Sequence, residues 1–534
     1  MTKIVTRKNI RTMPAEERDN LVRAFAGIQK LDPTDPNSFF MIAGYHGEPF
    51  RGAGWGNPQW WGGYCNHGNV LFPTWHRAYL HRLEKALQTI VPGVAMAYWD
   101  ETEEWSLKNG IPEFFLTPTY TCENGEVIDP NPLHSYTFQA NITDHLSPLP
   151  DTNYSKGAGY QTVRYPFSGL VGTPKLKRKS EAHNKQLTEL GVDETNKMLN
   201  LNILTWLNQV NFQNSKGKTI KANVSYKYGA CLNAPNYTVF SNTTSAQQWN
   251  DDRIDNKGYV PIVPLESPHN YIHLAVGGFQ LKKQHSDFNQ YSGANGDMGE
   301  NDTAAFDPIF FFHHCFIDLV FYEWQKKNDA LESFEIIHGY PGTNSVDNQG
   351  PTPGVAGGTW LTLDSALEPF KKPGSQTDPM TSRDVFNPQA LGYAYEYNNS
   401  SPNNFKAGNP DLYVPEDEDP TPILAVSNIN RSAIGGSFMI TAFSKSEINE
   451  EPVLAGTEAV LSRWHVAGCA NCQNHLEVRT HIPLHGWSKE KAENAEFEVK
   501  LQTRNPKVAN HVNFGTVPDQ QPAPSFRLVT SHMH

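Results

Sequence analysis

The chain is poor in cysteine, in charge and in long apolar runs, and each shortage closes off a class of protein. Six cysteines in 534 residues are too few for a disulfide-stapled scaffold. Charged side chains make up 19 % of the residues, and 56 Asp plus Glu outweigh 44 Lys plus Arg for a net charge of -12. That balance repels nucleic acid and anionic membrane surfaces, so neither is an expected partner. No stretch of about 18 apolar residues runs without a polar break. The most apolar run, Pro308-Ile309-Phe310-Phe311-Phe312, leads directly into His313, His314 and Asp318 and reads as a buried helix. The first eight residues hold no apolar signal core, which makes a cytoplasmic address the expectation. What is present is a folded globular composition, 38 % apolar and 11 % aromatic, in a chain long enough for a sizeable core and two domains.

Three segments carry helix-start signals. Thr74 stands where it can cap a helix through His76, Leu80, Leu83 and Leu87; Ser267-Pro268 precedes His269; Asp307-Pro308 precedes the aromatic run. Each of the three carries histidine near its beginning or middle. The acidic, proline-bearing run from Pro415 to Pro422 reads as a solvated linker, and beyond it the pattern changes to short β-rich runs such as Ser437 to Phe443 and Glu496 to Leu501. The expected division is a mainly helical domain over 1–405, a linker over 406–424 and a β-rich domain over 425–534.

The chain has twenty histidines, and their spacing matters more than their number. His269 and His273 are four apart, so a helix sets both imidazoles on one face, one turn from each other, as a metal pair requires. His314 lies inside an apolar helix, where an unpartnered imidazole costs a few kcal/mol, on the order of a lost buried hydrogen bond. A second group consists of His46 in Gly44-Tyr45-His46-Gly47, His67 on a Gly- and Asn-rich loop, and His76 at the start of the next helix. Three plus three imidazoles without carboxylate favour copper over magnesium, calcium or manganese. Zinc tolerates the same ligands but brings no redox chemistry that a second trio would serve.

The string from His67 to Glu84, HGNVLFPTWHRAYLHRLE, resembles the first copper-binding signature of the tyrosinase family, and Asp307 to Asp318, DPIFFFHHCFID, resembles the second. With His269-Asn270-Tyr271-Ile272-His273 between them, the resemblance spans roughly residues 40 to 330. It implies a four-helix bundle around two copper ions, with His46, His67 and His76 at copper A and His269, His273 and His314 at copper B. His313 is then a neighbour of the ligand, which stands four residues before Asp318. Cys65 matches the cysteine that forms a thioether with the second copper A histidine, the alternative being a small buried thiol.

Similar enzymes bind dioxygen between the coppers, hydroxylate monophenols at the ortho position and oxidise o-diphenols to o-quinones. Glu266 and Asn270 match the pair that holds a phenol-deprotonating water, which favours a tyrosinase over a catechol oxidase. Read structurally, the same two residues are a dipole-complementing carboxylate and an ordinary first-turn residue. Asp318 could support an imidazole or hold an arginine, and Arg77 and Glu84, seven apart, could pair with each other. Tyr393-Ala394-Tyr395 resembles the motif that closes the catalytic core. In the tail, Cys469 and Cys472 resemble a Cys-x-x-Cys that hands copper to the site; a disulfide or a small zinc site remains the alternative. Leu461 and Trp464 are candidates to reach the entrance.

The expected fold is therefore a mainly α, four-helix-bundle dicopper core with long loops, followed by a β-sandwich-like lid that keeps the enzyme latent. Small phenols are the expected substrates, and these residues leave a homo-oligomer open. An oxygen carrier of the haemocyanin kind shares the copper motifs and the covering β domain but forms very large secreted assemblies.

Overall fold

The computed structural model describes residues 4–47, 64–142, 155–169, 174–208, 210–213, 219–222, 224–279, 281, 295–344, 355, 358–396, 420–445, 452–463, 476–503 and 524–533. Strand β1 (Val5–Asn9) runs parallel to both β2 (Ala97–Tyr98) and β3 (Tyr393–Tyr395), so the beginning of the chain and the end of its first four hundred residues close on one small sheet. Around it lie α1 (Ala15–Lys30), α2 (Phe39–Gly44), α3 (Phe72–Ile90), α4 (Val192–Leu207), α5 (Val224–Cys231), α6 (Thr243–Asp251), α7 (Glu266–Gly277) and α8 (Ile309–Lys327).

The helices differ in how much of them is buried. In α1, Leu21, Val22, Phe25 and Ile28 face inward, while Glu16 and Glu17 at the start and Lys30 at the end complement the helix dipole. Helices α7 and α8 show no polar stripe because α7 is buried over its whole length and α8 from Ile309 nearly to its end. Gly278, at φ +105°, takes the left-handed conformation that ends α7. A side chain at Gly277 would meet the Gly299 backbone at 2.1 Å, so only glycine lets that loop pass.

Thr74 is not a cap. Helix α3 begins at Phe72 with Pro73 in its first turn, where the missing N–H costs nothing, and Thr74 turns inward to Ser382 Oγ at 2.8 Å.

The tail forms two antiparallel three-stranded sheets. In one, β4 (Ile423–Asn430) lies between β7 (Glu477–Pro483) and β9 (Ser525–Val529); in the other, β5 (Phe438–Lys445) lies between β6 (Val453–Val460) and β8 (Glu496–Thr503). The two β-rich runs singled out in the sequence are thus paired neighbours, with Phe438 opposite Thr503. Strand β5 is buried on both faces: Phe438, Ile440 and Ala442 enter the core of the tail, whereas Met439 and Phe443 join the core of the helical part, as do Ala459 and Leu461. Of the expected linker over 406–424, residues 406–419 lie outside the described residues, and Ile423 and Leu424 already belong to β4, paired with β7 and β9.

Candidate dinuclear metal centre

Helix α7 presents His269 and His273 one turn apart, with ring centroids 4.5 Å from each other, and α8 presents His314 between them. The Nε2 atoms of His269 and His273 lie 3.2 and 3.3 Å from Nε2 of His314. The outer nitrogens decide the tautomers. Nδ1 of His269 donates to Asn270 Oδ1 at 3.0 Å and Nδ1 of His273 donates to the Met298 carbonyl at 2.8 Å, so both Nε2 atoms turn lone pairs inward. Lone pairs crowded at this distance call for a cation between them.

The second trio is His46, just beyond α2, His67 on the loop, and His76 in α3. Their ring centroids are 5.3, 5.2 and 5.6 Å apart for His46–His67, His67–His76 and His46–His76. Nδ1 of His76 donates to the Phe72 carbonyl at 2.8 Å, again leaving Nε2 as an inward lone pair. Both ring nitrogens of His46, Nε2 of His67 and Nε2 of His76 are buried without a hydrogen-bond partner, a costly state for polar atoms. Metal coordination removes that cost, and the residues fit the ion. The trios face each other, with His76 stacked on His314 at 4.5 Å and His67 at 5.5 Å from His269.

Burial pushes every one of these imidazoles below its ordinary value, His76 to about 3 and the other five well below 6.5. They are neutral at ordinary pH and ready to bind metal. Among the described residues, no carboxylate joins either cluster of metal-capable groups, one of which is His269, His273, His313 and His314 and the other His46, Cys65 and His67; imidazoles with a soft thiol beside them suit copper.

The surrounding residues hold this arrangement. Glu266 accepts from the backbone N–H of Gly68 at 2.7 Å and from both the N–H and the hydroxyl of Thr243 at 2.9 Å, tying the His67 loop to α6 and α7. Phe310 stacks on His314 at 4.0 Å and meets His46 edge-on at 4.7 Å. Asp318 accepts from Arg77 at 2.5 Å, Arg7 at 3.3 Å, Tyr393 at 2.6 Å and Tyr395 at 2.5 Å. Its four partners are two arginines and two tyrosines, not an imidazole. Arg77 does not pair with Glu84, whose partner is Arg7 at 3.0 Å, because a helix places seven-apart residues two turns from each other and Asp318 on α8 is nearer.

His313, expected as the neighbour of the ligand, stands beside His269, His273 and His314. Three features escaped the sequence. Glu101 holds Nδ1 of His313 at 2.5 Å and also accepts from Tyr228 at 2.5 Å. Phe310 was visible only as part of an apolar run. Arg463, from the tail, reaches Cys65 and the carbonyl of His46, and no spacing rule connects residues some four hundred positions apart. Cys65 Sγ lies within 4.8 Å of a ring nitrogen of both His46 and His67. Among the described residues, His81, His134, His183 and His338 join neither metal-capable cluster, and His76 meets the second only through its ring contacts with His46 and His67. His145, His285, Trp464, Cys469 and Cys472 lie outside the described residues.

A profile of the common central domain of tyrosinase matches residues 36–327, which include all six histidines. The chain belongs to the tyrosinase family. It is similar to a tyrosinase of Aspergillus oryzae, 47 % identical over 515 residues and 93 % of each chain. Among solved tyrosinase structures, that of Burkholderia thailandensis at low pH superposes with a TM-score of 0.78 at 41 % identity, over 98 % of this chain and all of that one. An oxygen-bound Aspergillus oryzae pro-tyrosinase variant, 19 % identical, shares the fold with a TM-score of 0.62 over 99 % of this chain and 94 % of that one. The chain is accordingly a tyrosinase-type dicopper oxidase, and tyrosinase membership implies a dinuclear copper site, for which the structure offers histidine clusters that could hold metal.

Proposed function

We propose that the chain hydroxylates monophenols at the ortho position and oxidises o-diphenols to o-quinones with dioxygen, with His46, His67 and His76 at copper A and His269, His273 and His314 at copper B. The observation that carries this reading is the convergence of buried imidazole lone pairs in two facing trios. The copper pair supplies dioxygen binding and two-electron oxidation. The chain's own residues supply the rest. Asn270, Met298 and Phe72 fix the tautomers of His269, His273 and His76 through their outer nitrogens. Burial of His46, His76, His269, His273 and His314 among aromatic neighbours, with His67 half-buried, limits the access of water to the site.

Glu266 and Asn270 prepare the phenol. A carboxylate has about four lone-pair positions, and Gly68 and Thr243 use three of those on Glu266, leaving one for a water or a phenolic proton. Burial raises its pKa, with the donors from Thr243 and Gly68 opposing, so Glu266 is a stronger base than a solvated glutamate. We assign Cys65 and His67 to the thioether, Asp318 to support of α3 and α8 behind His76 and His314, and Cys469 and Cys472 to copper transfer.

The tail keeps the enzyme latent in this reading. Support comes from α7, whose Ser267, Asn270 and Tyr271 bond Glu458, Ala459 and Thr457 of β6, so the helix carrying two ligands is covered by a tail strand. The likeness in fold to a pro-tyrosinase agrees with it. The deciding experiment measures copper per chain together with oxygen uptake on a monophenol, with and without trace o-diphenol. Two ions per chain and a lag that the trace abolishes are expected. Diphenol turnover alone would make the chain a catechol oxidase, and reversible oxygenation without turnover an oxygen carrier.

A further inference from the structure

Arg463 stands three residues beyond the end of β6 and is the tail's charged probe into the helical core. Its side chain is 1 % exposed. Nη1 donates to Asp302 Oδ1 at 3.1 Å, and Nη2 donates to Cys65 Sγ at 2.8 Å and to the His46 carbonyl at 3.2 Å. Asn301 Nδ2 reaches the same sulfur at 3.8 Å. The ion pair with Asp302 anchors this part of the tail. The guanidinium is a planar fork, so seating one arm on Asp302 fixes the direction of the other. That other arm lands on the sulfur and on the backbone of a copper A histidine. Two N–H donors on Sγ restrict the Cys65 rotamer, and so the position of the sulfur relative to the His67 ring.

We propose that Arg463 is a positioning residue for the cross-link between Cys65 and His67, so that the tail is a template for assembly of copper A as well as its cover. The proposal rests on the dicopper reading and on the thioether assigned there. In the step, Cys65 sulfur forms a bond to a ring carbon of His67. The S–H and C–H hydrogens leave as two protons and two electrons, which reduce one dioxygen to hydrogen peroxide. Dioxygen is the oxidant that the proposed activity already consumes.

The test uses the full-length, metal-free chain loaded with copper in air. Peptide mass spectrometry follows the loss of two hydrogen masses from the peptide spanning residues 65–67, and thiol labelling follows Cys65. Wild type is expected to cross-link fully. Arg463→Met and Arg463→Lys are expected to bind the same amount of copper but to cross-link about tenfold more slowly, as lost orientation predicts. Arg463→Lys keeps the buried charge beside Asp302 without the fork, and it carries the test if Arg463→Met does not fold. Arg479→Met loosens the tail elsewhere, at its ion pair with Asp251, and should cross-link at the wild-type rate. Equal rates in wild type and the Arg463 variants would overturn the proposal, as would an equal slowing by Arg479→Met. A wild type that binds copper in air without losing the two hydrogens would overturn the thioether assignment and this proposal together, leaving the copper reading intact.

Discussion

The carboxylate of Glu266 accepts the backbone N–H of Gly68 at 2.7 Å, so the helix that bears His269 and His273 also holds the residue next to His67, which the proposed function places at the other copper. One side chain thereby couples both halves of the site. Glu266→Gln keeps the shape but removes the base. Activity on monophenols should fall about a hundredfold, the usual worth of a general base, while diphenol oxidation changes only a few-fold and copper content holds. Parallel assays on a monophenol and its o-diphenol check this, and equal loss of both would leave Glu266 a purely structural tie.

His273→Ala and His314→Ala each remove one member of the α7–α8 trio. Copper per chain should drop from two ions toward one, with loss of phenol oxidation. Metal analysis beside oxygen uptake reads both, and full turnover in either variant would sink the copper B assignment. His338→Ala, at an exposed ring stacked on Trp360, should change neither.

Asp318→Asn should destabilise the fold by about 3–5 kcal/mol, because it strips a buried partner from Arg77 and Arg7. Burial alone raises the Asp318 pKa, but the Arg77 and Arg7 charges and the hydroxyls of Tyr393 and Tyr395 outweigh it and hold the carboxyl below its ordinary 3.8. With the folded value depressed, this contribution is complete above the ordinary value and is lost as pH falls through the lower one. Wild type should therefore lose stability more steeply than Asp318→Asn below pH about 4. Denaturant midpoints across pH measure the difference.

Cleavage between residues 396 and 420 should raise activity several-fold once the tail leaves. Glu458→Ala should produce part of the same rise without cleavage, because Glu458 accepts from Ser267 at 2.6 Å and pairs with Lys227 at 3.6 Å across the seam. Unchanged activity after complete cleavage would remove the lid from the account.

Much of the site was legible because its signals are local. The four-residue spacing of His269 and His273, the imidazole that follows the apolar run ending at Phe312, and the Asp307-Pro308 signal before α8 are consequences of helical geometry written over a few residues. The paired runs at Phe438 and Glu496 were legible as strands for the same reason, through their length and composition. Partner choice among buried charges was not legible. Arg77 could pair with Glu84 along its own helix as far as the sequence tells, and only the packing of α8 against α3 brings Asp318 nearer.

The sequence by itself determined which histidines have the spacing and chemistry of metal ligands and which helices carry them, since ligand chemistry and helix period depend on nearest neighbours alone. Tertiary structure decided which trio faces which, which carboxylate each buried arginine takes, and that a tail arginine ends at Cys65. Those outcomes depend on contacts between residues hundreds of positions apart, whose energies arise only when packing removes water from between them.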